Sequence, residues 1–325
     1  MAADQAPADG TPRFGLWLFP AQPAGALADV VVAAEAAGLD ELWLGDEGPA
    51  RDPLVTLAAT AQRTKRIRLG VAITNPYLRH PAATASAFAT LSELAPGRVV
   101  LGLGAGGQLA LGPVGLEREE PLRRVADAVR VIRAVLQGVE TPGYRPPTHA
   151  LRAPDLPIYI GARGERLNRL ASEVADGVFI GGIALPMVGT TVGWARSHRP
   201  VAVSIYPNVA YSADDAESIR PQMVYALLDA PPLTRGTLGL ALDPVEAAAD
   251  ALADGDEGPA RHLIDDALLD RLIVRGTTLE VGRRLAAMAE RHRATSVGVA
   301  YVGPDPAGTL DRITATAEAF RRALG

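Results

Sequence analysis

The residues suited to chemistry gather at the ends of short apolar runs. Trp17 and Phe19 close the first run, Asp46 and Glu47 follow the second, and Thr74, Asn75, Tyr77, Arg79 and His80 follow the third. Gly102, Gly104, Ala105, Gly106, Gly107 and Gln108 sit in or after the fourth. Further along come Gly161, Ala162, Arg163 and Gly164, then Gly181 and Gly182, then Tyr206 and Asn208. Five histidines occur, none at a paired ligand spacing, so no metal site is expected. No Ser-His-Asp order is convincing, and with no cysteine thiolate catalysis is excluded. A mouth so poor in its own acids, bases and metals suggests that a bound cofactor carries the reaction.

Two carboxylates stand out. Glu47 is a general acid if burial raises its pKa, and a solvated loop residue otherwise. Asp46 is the acid best placed after the second run. Trp17 offers no proton but a large apolar face. Gly161-Ala-Arg-Gly164 opens directly into a helical segment, whose free amides and dipole suit a phosphate, with Arg163 adding charge. An ordinary tight turn explains the same four residues. Gly102, Gly104, Gly106 and Gly107 let backbone approach a flat ring or a phosphate, although strand packing accounts for one or two of them. His80 reads as a helix-start residue, and Arg79 as either an anion ligand or the partner of a surface acid.

The elements that position these residues follow from pattern. Runs at 14–19, 41–45, 67–73, 99–103, 158–160, 177–180, 201–206 and 296–301 are short and rich in Val, Ile and Leu, as strands buried on both faces are. Helical spacing lies between them; the clearest stripe is Leu122, Val125, Val129, Ile132 and Leu136. Eight strands alternating with helices predict a (β/α)8 TIM barrel, with a doubly wound open sheet as the alternative. The gap between strands seven and eight is too long for one unit, so 223–270 reads as a mostly helical insertion and lid, and 13–325 as a single domain. Residues 1–12 are small and polar and read as a disordered tail. Hydrophobic residues at 48% of 325 allow a large core, and a net charge of −5 without a basic stripe argues against nucleic acid. No apolar run is long enough for a membrane span. A cytoplasmic enzyme acting on a small molecule is the expectation.

The ordered run TNPYLRHP at 74–81, followed by GRVVLGLGAG at 97–106, resembles the luciferase-like flavin and deazaflavin oxidoreductases. Within them it is most similar to the branch of methylenetetrahydromethanopterin reductase. The resemblance implies coenzyme F-420 as cofactor, its phosphate near Ala162–Gly164, and its ring against strand three. It implies contacts from Asp46, Ala72, Ile73, Thr74, Asn75, Gly102, Gly104, Ala105, Gly106, Gly161, Arg163, Gly181 and Gly182, with a non-prolyl cis peptide at Ala72–Ile73. It also implies a homodimer through helices beside strands two and three. Two positions depart from that branch. Glu47 stands where a His often moves the proton, and Trp17 stands where a Glu is usual. The expected activity is hydride transfer between F-420 and an unsaturated or imine-like molecule. A monooxygenase using reduced FMN and oxygen is the runner-up, and a non-catalytic ligand-binding barrel the third reading. Trp17, Tyr77 and Tyr206 suggest a flat or apolar substrate.

Overall fold

A computed structural model describes residues 10–301 and 305–325, so most of the predicted tail, 1–9, lies outside the described residues. The chain begins β1 (Arg13–Leu18), α1 (Ala24–Ala36), β2 (Glu41–Leu44), α2 (Pro53–Ala61), β3 (Arg68–Thr74), α3 (Pro81–Leu94) and β4 (Val99–Gly104). It continues α4 (Gln108–Leu111), α5 (Pro121–Gln137), β5 (Ile158–Gly161), α6 (Glu165–Val174), β6 (Gly177–Gly181), α7 (Val188–Ala195), β7 (Ala202–Tyr206) and β8 (Asn208–Ala210). Then come α8 (Ala213–Ile219), α9 (Met223–Leu228), α10 (Pro232–Leu238), α11 (Asp243–Ala253), α12 (Gly258–Leu263), α13 (Asp266–Leu272), β9 (Ile273–Arg275), α14 (Thr278–His292), β10 (Ser296–Tyr301) and α15 (Pro306–Leu324).

Strands β1 to β7 pair in sequence order, β7 pairs with β10, and β10 returns to β1, all in parallel. The ring is therefore closed, and the predicted barrel holds over the open sheet. Burial on both faces explains the unbroken apolar strands: every residue of β2, β4, β5 and β7 is buried. Two strands were not expected. β8 resumes directly after Pro207 and pairs with β10 at Asn208↔Ala300, and β9 adds to β8. Proline has no amide to donate, so the ladder breaks there and the chain leaves the ring. Helices α9 to α13 follow, over the stretch read as an insertion.

Inside the ring, Trp43, Tyr159, Phe179 and Tyr206 form their own cluster. Phe179 stacks on Tyr206 with ring centroids 5.1 Å apart, and Trp43 lies 5.0 Å from Phe179 and 5.6 Å from Tyr159. Rings this large fit a barrel interior only opposite positions without side chains; a Cβ on Gly70 would sit 2.3 Å from Trp43. The base of the interior is polar and buried. Glu41 accepts from the indole of Trp43 at 2.9 Å and from the hydroxyl of Tyr206 at 2.6 Å, and faces Arg68 at 3.4 Å.

Candidate active site

The carboxyl ends of the strands open into one large cavity of about 910 Å3, at the upper end of the range for small-molecule sites. Its wall gathers most of the residues singled out by type and spacing. Trp17 comes from β1, Asp46 and Glu47 from the turn after β2, and Ala72, Ile73 and Asn75 from β3 and its end. Ala105 and Gly106 follow β4, Gly161 ends β5 and Ala162, Arg163 and Gly164 follow it, and Gly181 ends β6 before Gly182.

Thr74, Gly102 and Gly104 are not on that wall. Thr74 is buried and its side chain hydrogen-bonds Asp46. The two glycines serve β3: a Cβ on Gly102 would meet the Val71 carbonyl oxygen at 2.1 Å, and one on Gly104 would meet Ile73 Cδ1 at 2.1 Å. They make room for a β3 whose register against β4 shifts between Val71 and Thr74. The Ala72–Ile73 peptide is cis. Tyr77 is also elsewhere, its hydroxyl donating to the Glu119 carbonyl at 2.6 Å. Arg79 pairs with Asp52 at 2.5 Å, and Asp52 also caps α2. His80 caps α3, accepting from the Ala82 amide at 3.2 Å. Their polar groups are used structurally.

Glu47 and Trp17 share the space above Gly45. A Cβ there would lie 2.9 Å from the Trp17 ring and 3.0 Å from a Glu47 carboxylate oxygen. Trp17 is pinned, its indole N–H donating to the Ala72 carbonyl at 2.7 Å. Burial pushes the Glu47 carboxyl up to about 7, with the negative charges of Asp46 and Asp229 raising it further and Arg163 opposing them. Burial also raises Asp46, with the Thr74 hydrogen bond opposing it. One carboxyl is thus poised to hold or release a proton near neutrality.

At the opposite wall Arg163 donates to the Ala226 carbonyl at 3.1 Å, which links the β5 turn to α9. Gly164 starts α6 with no side-chain cap. Among the described residues no acceptor meets the amides of Glu165, Arg166 and Leu167. Across the mouth, Asp229 accepts from the Gln108 amide at 3.3 Å and faces Arg118 at 3.7 Å, joining the end of α9 to the segment after β4. Asp229, Arg118 and Leu233 were missed in the sequence. Gln108 and Asp229 are 121 residues apart, and only the neighbouring Pro231-Pro232 hinted at a shaped segment.

These features fit a phosphate-bearing ring cofactor. Asn75 is 1% exposed; its side-chain oxygen accepts from the Tyr77 and Leu78 amides at 3.1 and 3.0 Å. Its Nδ2 has no protein partner among the described residues, although Asn75 borders the cavity. A buried donor without an acceptor is costly unless a ligand supplies one. The unmatched α6 amides suit an anion in the same way. Among the described residues no group of three or more His, Cys, Asp or Glu is placed to hold a metal ion.

Comparison with known proteins agrees with this arrangement. The chain is 31% identical to the 5,10-methylenetetrahydromethanopterin reductase of Methanolobus tindarius, over 90% of this chain and 95% of that protein. It is 29% identical to the reductase of the same name from Archaeoglobus fulgidus, over 93% and 97%. The F-420-dependent glucose-6-phosphate dehydrogenase of Nakamurella multipartita matches at 39% identity, over 46% of this chain and 50% of that one. The structure of the coenzyme F-420 dependent tetrahydromethanopterin reductase from Methanopyrus kandleri superposes with a TM-score of 0.77 at 25% identity, covering 97% of this chain and 99% of that one. The profile described as luciferase-like monooxygenase matches residues 3–295. The chain belongs to the luciferase-like monooxygenase family.

Proposed function

We propose that this protein is an F-420-dependent oxidoreductase that reduces or oxidises a small unsaturated or imine-like molecule. The observation that carries this reading is the pairing, on one cavity, of unmatched helix amides beside Arg163 with a carboxyl held near neutrality at Glu47. The relatives support it: two that match over nearly their whole length are 5,10-methylenetetrahydromethanopterin reductases, and the Methanopyrus kandleri structure is of a coenzyme F-420 dependent reductase.

The chain's own groups divide the work. The amides at the start of α6 and the Arg163 guanidinium bind the phosphate. Ile73, backed by the sockets at Gly102 and Gly104, would support the ring, and the unpartnered Asn75 Nδ2 would donate to an acceptor on the cofactor. When bound, the deazaflavin supplies or accepts a hydride at C5. Glu47 holds the proton that accompanies hydride addition to a C=N or C=C bond, and Asp46 keeps that proton on Glu47 by its charge. Trp17 and Phe19 form an apolar wall that excludes water from the reacting end. The helices around Asp229 cover the mouth. No observation favours reduced FMN.

The test is direct. Purified protein titrated with F-420 is expected to perturb the ring fluorescence saturably, with weaker or no response to FMN. Tight FMN binding with silence towards F-420 would reverse the assignment, and silence towards both would leave a non-catalytic barrel. We also propose a cytoplasmic homodimer formed through the α2 and α3 side. Val55 near the start of α2 is 67% exposed and Leu94, the last residue of α3, is 37% exposed. Sedimentation as a monomer at micromolar concentration would refute the dimer.

A further inference from the structure

Asn168 stands in the second turn of α6, fully buried, and does not touch the cavity. Its side-chain amide donates to the carbonyl of Ala162 at 3.2 Å and to that of Gly164 at 2.8 Å. Both neighbours are acceptors, so the nitrogen and not the oxygen must face them. Its Oδ1 has no partner among the described residues. A buried amide that spends both donors on one turn and leaves its oxygen bare is a poor device for stability alone.

Its geometric effect is specific. In a trans peptide the C=O and the following N–H point in opposite directions. Drawing the Ala162 carbonyl towards the helix therefore aims the Arg163 amide away from it. Drawing in the Gly164 carbonyl does the same for the Glu165 amide. The Gly164 carbonyl is held a second time, by the Asn168 backbone amide at 3.2 Å. Residues Ala162, Arg163, Gly164 and Glu165 all border the cavity, and no side chain caps α6. We infer that Asn168 is a positioning residue that aims the amides of Arg163 and Glu165 at an anionic group of the bound cofactor. This inference rests on the deazaflavin reading above and adds a residue that never meets the ligand.

The experiment compares two ligands on the full-length protein, following ring fluorescence: F-420, and the deazariboflavin chromophore that lacks the phosphate. The parent protein is expected to bind F-420 about tenfold or more tightly than the chromophore. Asn168→Ala and Asn168→Asp are each expected to lose about tenfold for F-420 and less than about twofold for the chromophore. Aspartate keeps the size but sets a carboxylate against two carbonyl oxygens. Asn168→Ser, which retains one donor, is expected to fall between and keeps the comparison informative if alanine unfolds. Equal losses for both ligands would reduce Asn168 to a structural residue and overturn the inference, as would no loss at all. A parent protein that binds both ligands equally would remove the phosphate grip, and this inference with it, while leaving the ring site intact. A parent protein that binds neither would overturn the proposed function first.

Discussion

Glu47→Gln is expected to lower turnover of any substrate the protein reduces by about 10²–10⁴-fold, the usual range for a placed general acid. Above pH 7 the same change is expected to raise the melting temperature. Both effects have one cause. Burial lifts the Glu47 carboxyl from its ordinary 4.5 to about 7, with Asp46 and Asp229 contributing. In the unfolded chain this carboxyl ionises near 4.5, so between 4.5 and 7 the folded protein binds more protons. Stability contributed at this site is therefore intact below about 4.5, falls as pH rises through that window, and is fully lost above about 7. The rise from 4.5 to about 7 sets a ceiling of about 3 kcal/mol, and the side open to the cavity lowers it. Glutamine has no ionised form, so the variant should melt a few degrees higher than the parent at pH 8 and equally at pH 4.5. In the reducing direction the parent rate should decline above about pH 7 as the proton is lost. A variant with parental turnover and a parental melting profile at pH 8 would strip Glu47 of this role.

Glu41→Ala should have the largest effect on stability, about 3–5 kcal/mol, because it breaks a buried charged network from one side. The carboxylate is 1% exposed and is the shared acceptor for Trp43 and Tyr206, with the Arg68 guanidinium facing its other oxygen. Burial and the Glu41 charge drive the Tyr206 hydroxyl well above its usual pKa, so it stays a donor at every working pH. Removing the acceptor costs each buried donor a desolvated partner. The expected fall in melting temperature is roughly 10 °C. The loss should reach the cavity, because Tyr206 and the Phe179 it stacks on both border it. Glu41→Gln keeps an acceptor and should cost less. A Glu41→Ala protein melting within about 2 °C of the parent would show that the network is not what holds the base of the barrel.

The barrel was readable because parallel strands buried on both faces leave a plain signature, short Val- and Ile-rich runs with helical spacing between them. β8 and β9 were not, since three-residue strands carry no periodicity and their pairing depends on where Pro207 releases the chain. At the site, glycine spacing marked the correct end of β4 but not its purpose. Gly102 and Gly104 face Val71 and Ile73 across the sheet, a relation that pairing register decides and residue order does not. Glu47 was legible as a polar residue after a strand, yet its altered acidity comes mainly from burial, then from the neighbouring Asp46, and burial depends on how the loops close over it. His80, read as a helix-start residue, caps α3, and Arg79 takes the surface-acid reading by pairing with Asp52. Asn168 carried no signal, because what it does depends on which carbonyls lie above it.

The aromatic plug described for the barrel has a consequence for traffic. Trp43, Tyr159 and Tyr206 are essentially inaccessible, and Glu41 is tied beneath them, so side chains among the described residues fill the ring below the cavity. The cavity lies on the other side of that plug, at the carboxyl ends of the strands, with Asp229 and Arg163 on its wall. On the proposed function, a proton reaches Glu47 from the same side as the ligand, so proton supply and ligand entry share one cavity.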